Sequence, residues 1–290
     1  MKTDKFLSFR PVLLGAFALA LGSTHAADRI VSCGGTITEI VFALGAGDRV
    51  VAVDSSSVYP EDATKLPQVG YVRQLSTEGI LSVKPDLFLV NEDGGPPETL
   101  TQVEQLGVKT LKIDTEHTPE AAAQRIVAVG EALGIKESAQ TLADQLTADI
   151  KEVQQAVAAM PAKPKVLFLY ARGGGIMNVA GTNTSADSII ELAGGTNAVT
   201  GYEGYKPLTA EAAVAAAPDF ILVTTRGLES SGGVEGVLKQ PGLAMTPAGQ
   251  TEGRIISMDD LLLLGFGPRL GQAAQELSKK LHPTVAQKGF

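Results

Sequence analysis

A sixteen-residue stretch of this chain occurs twice. Leu75 to Val90, reading LSTEGILSVKPDLFLV, returns as Leu208 to Val223, reading LTAEAAVAAAPDFILV, at a constant offset of 133. The offset pairs Glu78 with Glu211, Pro85 with Pro218 and Asp86 with Asp219. Each copy reads as a short helix opened by a Ser or Thr and an acidic residue, then a Pro-Asp turn, then a buried apolar strand. A unit stated twice predicts two similar lobes. Two lobes enclose a cleft, and a matched pair of exposed glutamates forms a symmetric docking surface. The repeat therefore favours a ligand-binding protein over an enzyme.

Other segments extend the pattern. Residues 29–33, 49–53, 86–90 and 108–113 read as strands alternating with helical segments, the mark of a parallel sheet covered by helices. The second half repeats the scheme at 165–170, 219–223 and 254–258. Glu39 to Gly47 resembles Asp187 to Gly195 at an offset of 148, so the halves differ by insertions. Between them, Glu137 to Met160 carries Leu142, Leu146, Ile150, Val153 and Val157 at helical spacing, with no Gly or Pro before Pro161. Such a helix spans roughly 35 Å. It reads either as one more packed surface helix or as a rigid strut between lobes, and its position favours the strut. The predicted fold is α/β: two lobes with mainly parallel sheets joined by a long bridging α-helix. The expected divisions are a signal peptide at 1–26, a first lobe at 27–136, the helix at 137–160 and a second lobe at 161–290.

Lys2, Lys5 and Arg10, the apolar run Val12 to Leu21 and the small-residue site around Ala26 make residues 1–26 a targeting segment. Its removal takes away three positive charges and one negative, moving the formal net charge from −8 to −10. That acidity argues against nucleic acid or an anionic membrane as partner. The rest of the chain contains no apolar run long enough for stable membrane insertion. Cys33 is the single cysteine, so no internal disulfide forms, and its place at the end of a strand-like run disfavours a lipidated N-terminus.

Enzymatic constellations are thin. Outside the targeting segment the histidines are His117 and His282, both in polar contexts that read as solvated surface. No HExxH or CxxC occurs. Gly173 to Gly175, followed by Gly181, lacks the spacing of a nucleotide loop and reads as a turn at a cleft rim. Tyrosine and arginine offer more. In Gly70-Tyr71-Val72-Arg73, an extended conformation would turn Arg73 toward the phenol of Tyr71. A neighbouring guanidinium favours phenolate, a hard oxygen donor suited to ferric iron. The plainer alternative is a Gly-Tyr turn with a surface arginine. Arg172 and Arg226 each follow a second-lobe strand, at the strand ends where open α/β sheets bind ligands. With Arg73 they predict a cationic cleft fit for carboxylates.

These features together resemble the haem-binding periplasmic proteins of bacterial haem-uptake ABC transporters, within the wider class that also binds siderophores and cobalamin. The resemblance covers the chain beyond residue 26. It rests on Arg29-Ile-Val-Ser32, Glu39 to Gly45, the two Pro-Asp strands and Gly194-Gly-Thr-Asn-Ala198, and at the haem level on Gly70-Tyr71-Val-Arg73-Gln-Leu-Ser76. It implies Tyr71 as axial ligand of a non-covalently held ferric haem, with Arg73 bonded to its oxygen. Arg172, with Arg226, would then serve the propionates or the other face of the haem. Similar proteins can carry a histidine beside the second-lobe glycine turn; here Tyr170-Ala-Arg172 stands there, which favours one haem with a single protein ligand. Tyr202, Tyr205 and Met177 are cleft-wall candidates without a ligand role. Glu78 and Glu211 would dock on the two permease subunits, whereas a helix N-terminal role follows from the dipole alone. The resemblance implies a monomer in the periplasm that is no enzyme. The alternatives are a ferric-siderophore or cobalamin carrier, a metal-dependent reductase on the same lobes, and a metal-ion carrier. The absent cysteine cluster and the scarcity of histidine speak against the last two.

Overall fold

The computed structural model describes residues 27–160, 162–171 and 177–283. The first half runs β1 (Ile30–Cys33), α1 (Gly35–Ala43) and β2 (Val50–Val53), then a small hairpin of β3 (Gly70–Tyr71) and β4 (Gln74–Leu75). It continues with α2 (Thr77–Ser82), β5 (Leu87–Asn91), α3 (Pro97–Gln105), β6 (Lys109–Ile113) and α4 (Pro119–Leu133). The long helix α5 (Lys136–Ala158) leads to β7 (Lys165–Ala171), β8 (Met177–Ala180), α6 (Ser185–Leu192), β9 (Thr196–Asn197) and β10 (Tyr205–Pro207). After these come α7 (Ala210–Ala216), β11 (Phe220–Thr224), α8 (Thr225–Ser230), α9 (Gly233–Leu238), β12 (Ile255–Met258), α10 (Asp260–Leu264) and α11 (Leu270–Leu281).

The first sheet has the order β2-β1-β5-β6, parallel throughout. The second has the order β10-β8-β7-β11-β12, with β9 also paired to β7. Its β7-β11-β12 portion is parallel, while β8 and β10 run antiparallel. The connection from β7 to β8 explains the difference from a wholly parallel reading. A parallel return needs a crossover of a dozen or more residues, and only residues 172–176 separate these strands.

The repeat is now legible as a structural device. In both copies the aspartate after proline accepts backbone hydrogens at the start of the neighbouring strand. Asp86 takes N–H from Asp28 at 2.9 Å and Arg29 at 3.2 Å, beside β1. Asp219 takes N–H from Lys165 at 2.8 Å, the first residue of β7. The residues before the prolines also match, since Lys84 and Ala217 both have positive φ, at 48° and 42°.

Period-two alternation divides each buried strand between two cores. Ile30, Leu87 and Leu89 join Val166, Phe168, Phe220 and Leu222 in one large core shared by both halves. Val31, Cys33, Phe88 and Val90 face a private core under α3. Leu167, Leu169, Ile221 and Val223 face another in the second lobe. The long helix contributes Ala139, Ala143, Leu146, Ile150 and Val153 to the shared core. Leu142 and Val157, expected on that stripe, are only partly buried beside it. Helix α5 is therefore both a connector and a packed element, so the two readings of it coincide. It meets α4 closely where Gly130 faces Ala139: a Cβ on Gly130 would lie 2.1 Å from that of Ala139.

Candidate functional site

Tyr71 sits in a hairpin whose partners are Gly70 with Leu75 and Tyr71 with Gln74, so Val72 and Arg73 form the two-residue turn. Neither turn residue has the positive φ of the usual two-residue hairpin turns; Gly70, in the strand just before Tyr71, takes φ 115°. Val72 is buried and anchors the turn, leaving Tyr71 and Arg73 on the outside. The Arg73 Nη1 donates to the Tyr71 hydroxyl at 2.9 Å. The expected partnership is present, but a hairpin turn rather than an extended strand brings the two together. Tyr71 is 41% exposed, so its oxygen remains open to a ligand.

A residue that sequence reading passed over completes the arrangement. Asp93 lies just beyond β5 and accepts a short charge-assisted hydrogen bond from Arg73 Nη2. Arg73 holds its proton more tightly than an ordinary guanidinium: partial burial pulls the other way, but the bonds to Asp93 and Tyr71 outweigh it. An acid next to Gly94-Gly95 at a strand end was the available signal, but nothing local linked it to a residue twenty positions earlier.

Arg73 and Asp93 line a cavity of about 220 Å³ with Thr36, Asn91, Asp114, Thr115, His117, Arg125, Leu264 and Gly265. It lies at the carboxyl ends of the first sheet, where ligands of open α/β sheets bind, and Leu264 and Gly265 belong to the second half. The volume is below the ~300–1,000 Å³ typical of sites that enclose drug-sized ligands. A larger molecule would lie over this cavity in the open cleft. A second groove, of about 740 Å³, runs between the start of α4 and the ends of α5 and α6 and shares His117 with the first cavity.

The cleft floor ties the halves together. Thr36 Oγ1 donates to the Gly265 carbonyl at 2.8 Å, and Arg125 Nη1 to the Phe266 carbonyl at 2.8 Å. Arg125 is buried, and its remaining donors go to the Asp114 and Glu116 carbonyls and the Asp114 carboxylate. Burial lowers its pKa against the pull of the nearby carboxylates, Asp114 first. Arg269 forks onto buried Glu39 at 2.8 and 2.9 Å and stacks over the Tyr59 ring at 3.6 Å. The bonds from Thr36 to Gly265, Arg125 to Phe266 and Arg269 to Glu39 span more than 140 residues in sequence and had no local signature.

Other expected residues fall in separate places. Arg226 is exposed on the first turn of α8, directly after β11, and its guanidinium has no ion-pair partner among the described residues. Arg172 and Gly173 to Gly175 lie outside the described residues, as does the expected signal segment 1–26. Glu78 and Glu211 are both exposed at the second position of their helices, behind Ser76 and Thr209 caps that accept from Gly79 and Ala212 at 3.1 Å. The two helices are thus built alike, one on each half.

Tyr202 donates to the Val179 carbonyl at 3.1 Å within the second lobe, and burial raises its pKa. Met177 is buried, while Tyr205 is exposed and packs on Tyr170 at 5.6 Å. The histidines correct the surface reading. His117 is half-buried and packs tilted against the Phe266 ring, centroids 5.5 Å apart. Desolvation, and then Arg125, lower its pKa. His282 is 8% exposed at the end of α11, with its pKa lowered by burial. Polar neighbours in sequence did not reveal that tertiary packing covers both rings. Cys33 is fully buried in β1, where burial and Asp54 push its thiol pKa well up.

Among the described residues no group of His, Cys, Asp or Glu side chains is arranged to hold a metal ion, and no helix is long and apolar enough to cross a membrane. Two α/β lobes, a packed connecting helix and a cleft at the strand ends define a ligand-binding class of protein. The chain belongs to the periplasmic binding protein family, which it matches over residues 30–261.

Among solved structures it is similar to the periplasmic heme-binding protein RhuT from Roseiflexus sp. RS-1, at 48% identity and a TM-score of 0.86, over 89% of this chain and 99% of that one. It is similar to the periplasmic heme-binding protein BhuT, solved with two hemes, at 40% identity and a TM-score of 0.83, over 89% and 98%. The periplasmic heme-binding protein HutB of Vibrio cholerae follows at 38% identity and 0.79, over 88% and 99%. A vitamin B12-binding protein of Yersinia pestis is 31% identical over 60% of this chain and 60% of its own length.

Proposed function

We propose that this protein captures ferric haem in the cleft between its lobes, with Tyr71 as the axial ligand, and delivers it to an inner-membrane ABC importer. The observation that carries the reading is the 2.9 Å hydrogen bond from Arg73 to an exposed tyrosine hydroxyl at the cleft edge. A phenol so placed fits ferric iron: its oxygen is a hard donor left exposed, and the guanidinium bonded to it holds that oxygen at the cleft edge. Iron–phenolate ligation, apolar contact with the porphyrin, and pairing of Arg172 and Arg226 with propionates would supply the affinity. Similarity to heme-binding proteins over nearly their whole length supports haem above the cobalamin alternative, whose relatives align over 60% of the chain. A chain without tryptophan is also a weaker partner for a large corrin ring. An anionic ferric siderophore is the second reading, because exposed Arg226 suits it as well.

The work is capture and handover rather than bond-making, and the reading places the protein in the periplasm, exported by residues 1–26, as a monomer. Glu78 and Glu211 meet basic pockets on the two permease subunits. The lobes share one core around α5, so their closure is modest and release depends on the permease prising the cleft open.

Titration of the purified protein with hemin tests the assignment. Saturable binding with a ferric spectrum typical of phenolate ligation is expected, and Tyr71→Ala abolishes that spectrum. Hemin binding no tighter than to an unrelated protein would remove the haem reading. Saturation by a ferric siderophore instead would establish the second one.

A further inference from the structure

The turn that carries Asp93 is bonded to the hairpin that carries Tyr71 and Arg73. Gly95 N–H donates to the Val72 carbonyl at 2.9 Å, and Leu75 N–H donates to the Gly95 carbonyl at 2.8 Å. The turn itself closes with Gly94 N–H on the Asn91 carbonyl at 2.8 Å. A side chain at Gly94 has no room: its Cβ would lie 2.5 Å from Val90 Cγ2 and 2.9 Å from the Asn91 oxygen. Asp93 is thus presented by a closed turn whose position relative to the hairpin is set by the two backbone bonds at Gly95. Arg73, in contrast, is a long side chain that is 56% exposed. Its guanidinium is a planar fork: Nη1 reaches the phenol and Nη2 reaches the carboxylate.

We infer that Asp93 is a positioning residue for the iron ligand, gripping one edge of the Arg73 guanidinium so that the other stays aimed at the Tyr71 hydroxyl. The consequence for haem rests on the function proposed above; the Asp93–Arg73 coupling does not. Without a carboxylate, an exposed arginine samples many rotamers and its bond to Tyr71 becomes intermittent. An uncharged acceptor of the same shape keeps the aim. Asp93→Ala and Asp93→Asn therefore separate geometry from charge.

Two measurements test this. In the ligand-free protein, nitrogen-15 NMR of arginine side chains should show a restricted Arg73 guanidinium that becomes freely rotating in Asp93→Ala and stays restricted in Asp93→Asn. In the hemin complex, Asp93→Ala should weaken binding about tenfold and diminish the phenolate-to-iron band at a fixed pH. Asp93→Asn should stay within about twofold of the parent. In an Arg73→Ala background, Asp93→Ala should add no further loss, because its effect passes through Arg73. A loosened turn alone would lower stability without diminishing that band. Unchanged guanidinium rotation in Asp93→Ala overturns the inference. Failure of the parent protein to bind hemin overturns the haem reading and leaves the NMR result to decide the role of Asp93.

Discussion

His282 makes stability sensitive to acid. Its pKa is lowered in the fold by burial, so the unfolded chain takes up a proton more readily than the folded one. Stability from keeping this ring neutral is fully present above the unfolded imidazole value of about 6.5 and declines as pH falls below it toward the depressed folded value. His117 acts in the same direction, for the same first cause. The expected outcome is a fall in unfolding free energy between about pH 7 and about pH 5, with a shallower fall in His282→Gln, measured by urea denaturation at each pH. Short-range chemistry was the legible part of the site. Tyr71 and Arg73 stand two positions apart, so their meeting followed from local geometry. The exposure of the histidines depends on residues far away in the chain, and local polarity misjudged it.

The helices carry two predictions. At the α4–α5 crossing, Gly130→Ala would set two Cβ atoms 2.1 Å apart, forcing the helices to separate. Alanine gains up to about 1 kcal/mol of helix propensity over glycine, and overpacking costs about 1–3 kcal/mol. A net loss near 1 kcal/mol is expected in urea denaturation; a gain would show that the crossing gives way freely. On α2 and α7, the exposed Glu78 and Glu211 occupy equivalent first-turn positions on the two halves. Glu78→Lys or Glu211→Lys should each impair haem uptake by cells carrying the cognate importer while leaving hemin affinity in solution unchanged. The repeat announced this pairing of elements clearly, because a short helix, a turn and a strand are specified by neighbouring residues. The antiparallel β8 and β10 were less legible, since strand direction is decided by the length of a connection and by partners elsewhere.

For the whole molecule, the shared core and the floor of the cleft govern how the lobes behave together. Removing Arg269 would leave Glu39, 4% exposed, as a buried unpaired carboxylate. Breaking such a pair costs about 3 kcal/mol or more. Arg269→Ala should therefore lower unfolding stability by about that amount and accelerate amide hydrogen exchange in α1 and around Gly265; unchanged exchange would show that the shared core alone holds the lobes. Apolar periodicity, turn residues and the repeat were sufficient for the α/β class, two lobes, the long helix and the Tyr71–Arg73 pair, because each depends on spacing along the chain. Asp93 beneath Arg73, the clamp of Arg269 on Glu39 and the burial of His117 and His282 were decided only in three dimensions. They join residues that no local rule connects: Asp93 meets Arg73 through the backbone bonds of Gly95 to the hairpin, and the others met when both sheets packed their inner faces into one core.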